Sequence, residues 1–162
     1  MWLLLFALAA CGKKGPAVPL ESVEVGALRV GMARTAVADK TGCKWEVFTQ
    51  TRMRGATALV CRDGQMTLDL ASYGLTGSVT ADVKAYANSP DKVSGFSIVI
   101  DIPPLISQDA LMAALTKHYT EAIGAPPEMK GKAPNWKLGS KSFFIRPDSE
   151  NQRITIATFP VT

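Results

Sequence analysis

The chain has 162 residues, of which 47% are hydrophobic and 20% are charged, and its formal net charge is +4. A sequence this apolar is not disordered as a whole, and with a single strongly apolar run it is not a polytopic membrane protein. One histidine and three cysteines leave too few ligands for a tetrahedral zinc site or an ordinary iron–sulfur cluster, so we expect no metal and no cofactor.

The amino terminus is an uncharged apolar run over residues 1–10 that ends in Ala9 and Ala10. As a helix, ten residues rise about 15 Å, whereas a membrane span needs about 20 residues. The run therefore predicts an export signal rather than a finished membrane anchor. It has no Lys or Arg at its start, which leads us to expect that the start codon lies upstream or that Met1 is an internal start.

A cysteine follows this run directly, in the order Leu8-Ala9-Ala10-Cys11. These residues resemble the lipobox of bacterial lipoproteins, in which the signal is removed before the cysteine and the thiol is diacylated. The resemblance implies a lipid anchor on Cys11 and, since Gly12 rather than Asp comes next, the periplasmic face of the outer membrane. In the linker 11–25, Lys13 and Lys14 are candidate contacts for anionic headgroups, and the alternative is that they only keep the linker soluble.

Export would place the other two cysteines, Cys43 and Cys61, in an oxidising compartment, which predicts a disulfide between them. In an antiparallel hairpin, the residue numbers of any two paired positions have the same sum. If Cys43 pairs with Cys61, the hairpin is centred on Arg52. The polar break 51–55 lies there, between strand-like runs 44–50 and 56–62. This register predicts Trp45 opposite Leu59.

Asp63-Gly64 is typical of a two-residue hairpin turn and predicts a third strand that begins at Gln65, with Met66 opposite Cys61. The result would be a three-stranded meander with one apolar face.

Two helices are predicted elsewhere, one over 33–41 that ends at Gly42 and one over 108–123 that Ser107 caps and Gly124 ends. The second has a buried stripe consisting of Leu111, Leu115, Tyr119 and Ala122. Further strands are expected over 78–86, 92–101, 136–138, 142–146 and 152–159.

Helix, glycine and then strands thus occur twice. This order predicts an α+β domain over 26–162, with antiparallel sheet and two helices packed on one face. It also favours a tandem repeat with halves 26–77 and 78–162.

Val30-Gly31-Met32, followed by a short helix and Thr41-Gly42, resembles the opening of small outer-membrane assembly lipoproteins of the BamE type. Tandem copies of such a unit also occur in secreted inhibitors that resemble the β-lactamase inhibitory protein. The resemblance covers about a dozen residues and implies a two-layer fold, but a shared fold carries no function.

Basic residues are concentrated between positions 29 and 62, where the sequence has seven Lys and Arg residues but only two Asp and Glu residues. Arg52 and Arg54 fall on the predicted hairpin tip, where they are candidate contacts for phosphate, anionic lipid or an acidic protein surface. A solvated turn without a partner is the alternative. Export argues against nucleic acid as the partner of the second basic stretch, around Trp136.

No carboxylate pair, phosphate loop or nucleophile motif is present, and His118 is expected on the helix surface or at its boundary, so we expect no enzyme. The sequence therefore favours a lipid-anchored periplasmic protein that works through contacts with an envelope protein or with the envelope itself. The alternative is an inhibitor of an exported hydrolase, with the 52–55 loop in an acidic active site. An envelope hydrolase with an unrecognised carboxylate site ranks last.

Overall fold

The computed structural model describes residues 18–50 and 56–160. In this part of the chain, two α-helices accompany ten strands. In chain order these are β1 (Glu24–Val25), β2 (Leu28–Arg29), α1 (Arg34–Thr41), β3 (Lys44–Gln50), β4 (Ala56–Asp69), β5 (Ser78–Ala87), β6 (Gly95–Asp101), α2 (Gln108–Ile123), β7 (Glu128–Lys130), β8 (Ala133–Leu138), β9 (Lys141–Asp148) and β10 (Arg153–Pro160).

Eight of these strands form one antiparallel sheet in the order β3-β4-β5-β6-β10-β9-β8-β7. Each helix precedes a meander of four strands, and the two meanders join where their last strands pair, for example at Ile98 and Ile156. Of the residues that the structure describes, 48% lie in strands and 23% in helices, so the prediction of an α+β fold is wrong and this part of the protein is mostly β. Some strands, such as β4 and β8, are longer than their sequence patterns indicated, and eight of the strands merge into one sheet.

The sheet has two different faces because its side chains alternate. One face carries the core, in which Val37 of α1 and Leu111, Leu115, Tyr119 and Ile123 of α2 pack on buried side chains of the strands. The stripe predicted for α2 is correct except at its end, where Ile123 is buried and Ala122 is exposed. Ile123 lies four residues after Tyr119 and therefore on the same side of the helix. No α-helix of the described residues packs on the other face, which we call the open face.

The bounds of α2 agree with the prediction. The Ser107 side chain accepts a hydrogen bond from the Ala110 N–H at the amino end, and Gly124 adopts a left-handed conformation with φ 74° at the other. A side-chain oxygen before the helix and a glycine after it satisfy backbone groups that the helix itself leaves unpaired.

The turn predicted at Asp63-Gly64 is wrong, because β4 runs without interruption through these residues. Asp63 has φ 56°, and the pairing with β5 shifts between Cys61 and Gly64, which defines a β-bulge. A Cβ on Gly64 would lie 2.8 Å from the Cβ of Cys43, so only glycine fits there. Asp63-Gly64 has the sequence of a turn but lies within one strand. Asp63 provides the positive φ, and Gly64 permits the close approach of Cys43.

The predicted register of the first hairpin is also wrong, by two residues. Trp45 pairs with Cys61 and Val47 with Leu59, so the index sum is 106 rather than the expected 104. A shift of two keeps every side chain on its predicted face, since the period of a strand is two.

Candidate functional site

The predicted disulfide between Cys43 and Cys61 is present, with the two Cα atoms 5.5 Å apart. It joins the residue before β3 to the middle of β4, so it braces the base of the β3–β4 hairpin. The other candidate residues of the sequence, Cys11, Lys13, Lys14, Arg52 and Arg54, lie outside the described residues.

The hairpin extends past the sheet that carries it. Strand β4 pairs with β5 only from Leu59 onward, whereas β3 and β4 continue to pair out to Gln50 and Ala56. Next to this overhang, the Val47 side chain is 68% exposed and that of Phe48 is 40% exposed. The segment 51–55, with its two arginines, connects the overhanging ends.

Aromatic side chains gather on the open face of the sheet. Phe144 and Phe159 stack with ring centroids 5.7 Å apart, and Tyr86 lies 6.3 Å from Phe159. Phe48 lies on the same face two strands away from Tyr86. It is opposite Ala58, two residues along β4 from the buried Val60 that pairs with Tyr86. We call Phe48, Tyr86, Phe144 and Phe159 the aromatic patch. Apolar side chains of this size on a face without a helix are typical of a surface that a partner covers.

Charged side chains of both signs lie on the open face near the aromatic patch, where the carboxylates of Glu46 and Asp82 accompany several cations. The Arg62 guanidinium lies 5.4 Å from the centroid of the Phe48 ring, which is the geometry of a cation–π contact, and it is 4.0 Å from the Glu46 carboxylate. Lys44, Lys84 and Arg146 are exposed on the same face, and within the described residues none has a carboxylate within 4.0 Å. These three cations beside an apolar centre favour a partner that has acidic groups at the edge of an apolar surface.

Sequence reasoning missed the aromatic patch, although part of its signal was available. Phe48, Phe144 and Phe159 each lie in a predicted strand, on the opposite face from neighbours that the core needs. Period-two alternation could have assigned them to the solvent face. The order of the strands in the sheet was needed to bring them together.

A second polar group lies at the side of α2. Tyr119 is fully buried, and its hydroxyl has the Tyr73 hydroxyl as its hydrogen-bond partner at 3.2 Å. Burial, together with Tyr73, raises the pKa of Tyr119 well above its ordinary value. His118 lies edge-on to Tyr73, with ring centroids 4.8 Å apart, and is half-buried, which agrees with the second of its two expected positions.

The described residues contain no group of three His, Cys, Asp or Glu side chains placed to hold a metal ion. Within the same residues, no helix combines the length and the apolar character that crossing a bilayer requires.

Comparison of the chain with protein-family models, with curated proteins and with solved structures found no match. The residues and the geometry of this chain therefore carry the functional interpretation.

Proposed function

We propose that this protein is exported, is anchored to the outer membrane by acyl chains on Cys11, and works by binding an envelope protein on its open face. The aromatic patch carries the binding part of the proposal. The Cys43–Cys61 disulfide supports export, because disulfides persist in oxidising compartments. Several acyl chains hold a protein on a membrane without contact between its fold and the lipid, which leaves the open face free for a protein.

The partner has an apolar surface with acidic groups around it. It covers the half-exposed rings of Phe48 and Phe159, and its carboxylates meet Lys44, Lys84 and Arg146. Arg52 and Arg54 add charge of the same sign at the end of the overhanging hairpin. Charge of this kind mainly accelerates association, so added salt should slow binding more than it speeds dissociation.

The experiment places a photo-crosslinking amino acid at Phe48 or Phe159 in cells and at the exposed Ala122 of α2 as a matched control. Both open-face positions should crosslink to the same protein, and Ala122 should not. Charge reversal with Lys84→Glu and Arg146→Glu should weaken that crosslink. Equal crosslinking from all three positions would refute the open face as the binding surface.

The anchor is tested separately with radiolabelled palmitate. The wild-type chain should incorporate the label and Cys11→Ser should not. A labelled Cys11→Ser chain, or an unlabelled wild-type chain, would remove the anchor from the proposal and leave the binding surface standing.

The overhang of the β3–β4 hairpin favours a second function, the inhibition of an exported hydrolase. A hairpin that projects beyond its sheet is able to enter a cleft, and the basic segment 51–55 suits an acidic active site. Stoichiometric loss of a hydrolase's activity, relieved by Arg52→Glu with Arg54→Glu, would support this function. Activity that is unaffected at equimolar protein would exclude it for that enzyme.

A further inference from the structure

A groove of about 570 Å³ lies on the helix-bearing face, at the opposite end of the sheet from the disulfide. One wall is the side of α2 from Gln108 to Lys117, and the other is formed by β7 and the turn after it. The buried stripe of α2 packs toward β9 and β10. The edge strand β7 stays exposed along its whole length, whereas β8 beside it is largely buried. The volume falls within the range of small-molecule sites in proteins, about 300–1,000 Å³.

The floor and much of the walls are apolar. Met112 and Ala113 come from α2, Met129 from β7, and Pro134 and Pro147 from β8 and β9. Met129 is 56% exposed, which is unusual for a large apolar side chain that faces the same side of the sheet as the core. Methionine side chains are flexible and adapt to irregular apolar ligands.

Two cations flank this apolar floor. Lys117 extends from α2 and Lys132 from the turn between β7 and β8, and Asp109 is the one carboxylate in the lining. Neither lysine lies within 4.0 Å of a carboxylate in the described part of the chain, in contrast to Lys137, which pairs with Glu128 at 2.9 Å. The groove therefore combines an apolar floor with a net positive charge, and neither ammonium group is paired with a carboxylate of the described residues.

We propose that this groove binds a single-chain amphiphile with an anionic head, of the fatty-acid type. Its alkyl chain lies on the two methionines and the two prolines, and its carboxylate is held by Lys117 or Lys132. From Gln108 to Lys117 the helix rises about 14 Å, which suits a chain of medium length such as that of laurate. The site is separate from the aromatic patch and does not depend on the proposed function.

The experiment uses the full chain, kept in solution with a neutral steroid detergent, and a laurate analogue that carries a photoreactive diazirine. After illumination, labelled residues should map to the α2 and β7 segments that contain Met112 and Met129. Unlabelled laurate should compete, and dodecyltrimethylammonium, which has the same chain and a cationic head, should compete about tenfold less well.

Two pairs of variants separate the groove from non-specific labelling. Ala113→Trp fills the groove and should lower labelling about tenfold, whereas Ala122→Trp, at another exposed position of the same helix, should not change it. Lys117→Glu with Lys132→Glu should reverse the preference for the anionic head, whereas Lys40→Glu at an exposed position of α1 should not.

The melting temperature of each variant shows whether it is folded. Equal labelling of Ala113→Trp and wild type, labels spread over the open face, or equal competition by the cationic amphiphile would each overturn the proposal. Loss of labelling in Ala113→Trp while the crosslinks from Phe48 and Phe159 persist would support it and leave the proposed function unaffected.

Discussion

The two ends of the sheet are built from the same parts, a helix and an outer hairpin, and are held in different ways. At the first end, α1 has eight residues and buries Val37 and Thr41, and the Cys43–Cys61 disulfide braces the hairpin. At the other end, α2 has sixteen residues and buries Leu111, Leu115, Tyr119 and Ile123. At the first end a covalent bond thus adds to a core in which the shorter helix takes a smaller part, whereas at the other end the longer helix holds the strands by packing alone.

The two ends of the sheet also differ in how many large apolar side chains they expose. The braced hairpin extends beyond the sheet and exposes Val47 and Phe48, while the packed end keeps Trp136 buried, with its indole N–H donating to the Ala125 carbonyl at 2.9 Å. The disulfide is buried and fixes the base of the hairpin, while the apolar side chains nearer its tip stay exposed to a partner.

Truncation in α2 is expected to have the largest effect on stability. Leu115→Ala should lower the free energy of unfolding by about 2–5 kcal/mol, because it leaves a cavity in the core. Val37→Ala, the counterpart in α1, removes fewer atoms and should cost less. Urea unfolding monitored by circular dichroism measures both values, and an equal loss in the two variants would contradict the asymmetry of the two ends.

Removal of the disulfide is expected to have the next largest effect. Replacing both cysteines, as Cys43→Ala with Cys61→Ala, should cost about 3 kcal/mol, chiefly through greater freedom of the unfolded chain. The same urea titration reports it, and dithiothreitol should destabilise the wild type but not the double variant. A double variant as stable as the wild type would show that packing alone holds this end.

A substitution at Gly64 tests the β-bulge that the structure has at the position of the predicted turn. Gly64→Ala should cost about 1–3 kcal/mol, because its new methyl group would lie 2.8 Å from the Cβ of Cys43. Gly74→Ala, whose Cβ would have nothing within 4 Å, controls for the loss of a glycine, although its φ of 76° adds a backbone cost of its own. Thermal unfolding of the two variants distinguishes crowding at the disulfide from backbone strain.

The smallest effect concerns alkaline pH. The raised pKa of Tyr119 keeps its hydroxyl protonated in the folded protein, while in the unfolded chain tyrosine ionises near pH 10. This contribution to stability is therefore complete below pH 10 and is lost as the pH rises through the pKa of the folded state.

Tyr119→Phe should remove that part of the pH dependence, so its stability should fall less than that of the wild type between pH 9 and about 11. Tyr86→Phe, on the open face, serves as the control. Unfolding titrations at each pH provide the measurement, and identical slopes for wild type and Tyr119→Phe would contradict the assignment.

Local patterns determined several elements well. Ser107, the apolar spacing of Leu111, Leu115 and Tyr119, and Gly124 place α2 within its observed bounds, because caps and periodicity act over a few residues. The cysteine pair followed from an expected oxidising compartment together with a plausible hairpin. The apolar run and Cys11 still predict export and lipidation, and Lys13, Lys14, Arg52 and Arg54 remain predicted contact residues.

Other features depend on distant parts of the chain. Asp63-Gly64 has the chemistry of a turn, and only the pairing of β4 with β5 makes it a bulge. The aromatic patch joins Phe48, Tyr86, Phe144 and Phe159 from four strands, and the groove joins α2 to β7 across the sheet. Turn chemistry, capping and alternation are properties of neighbouring residues, whereas strand order and the surfaces it creates come from long-range pairing that no short stretch of sequence encodes.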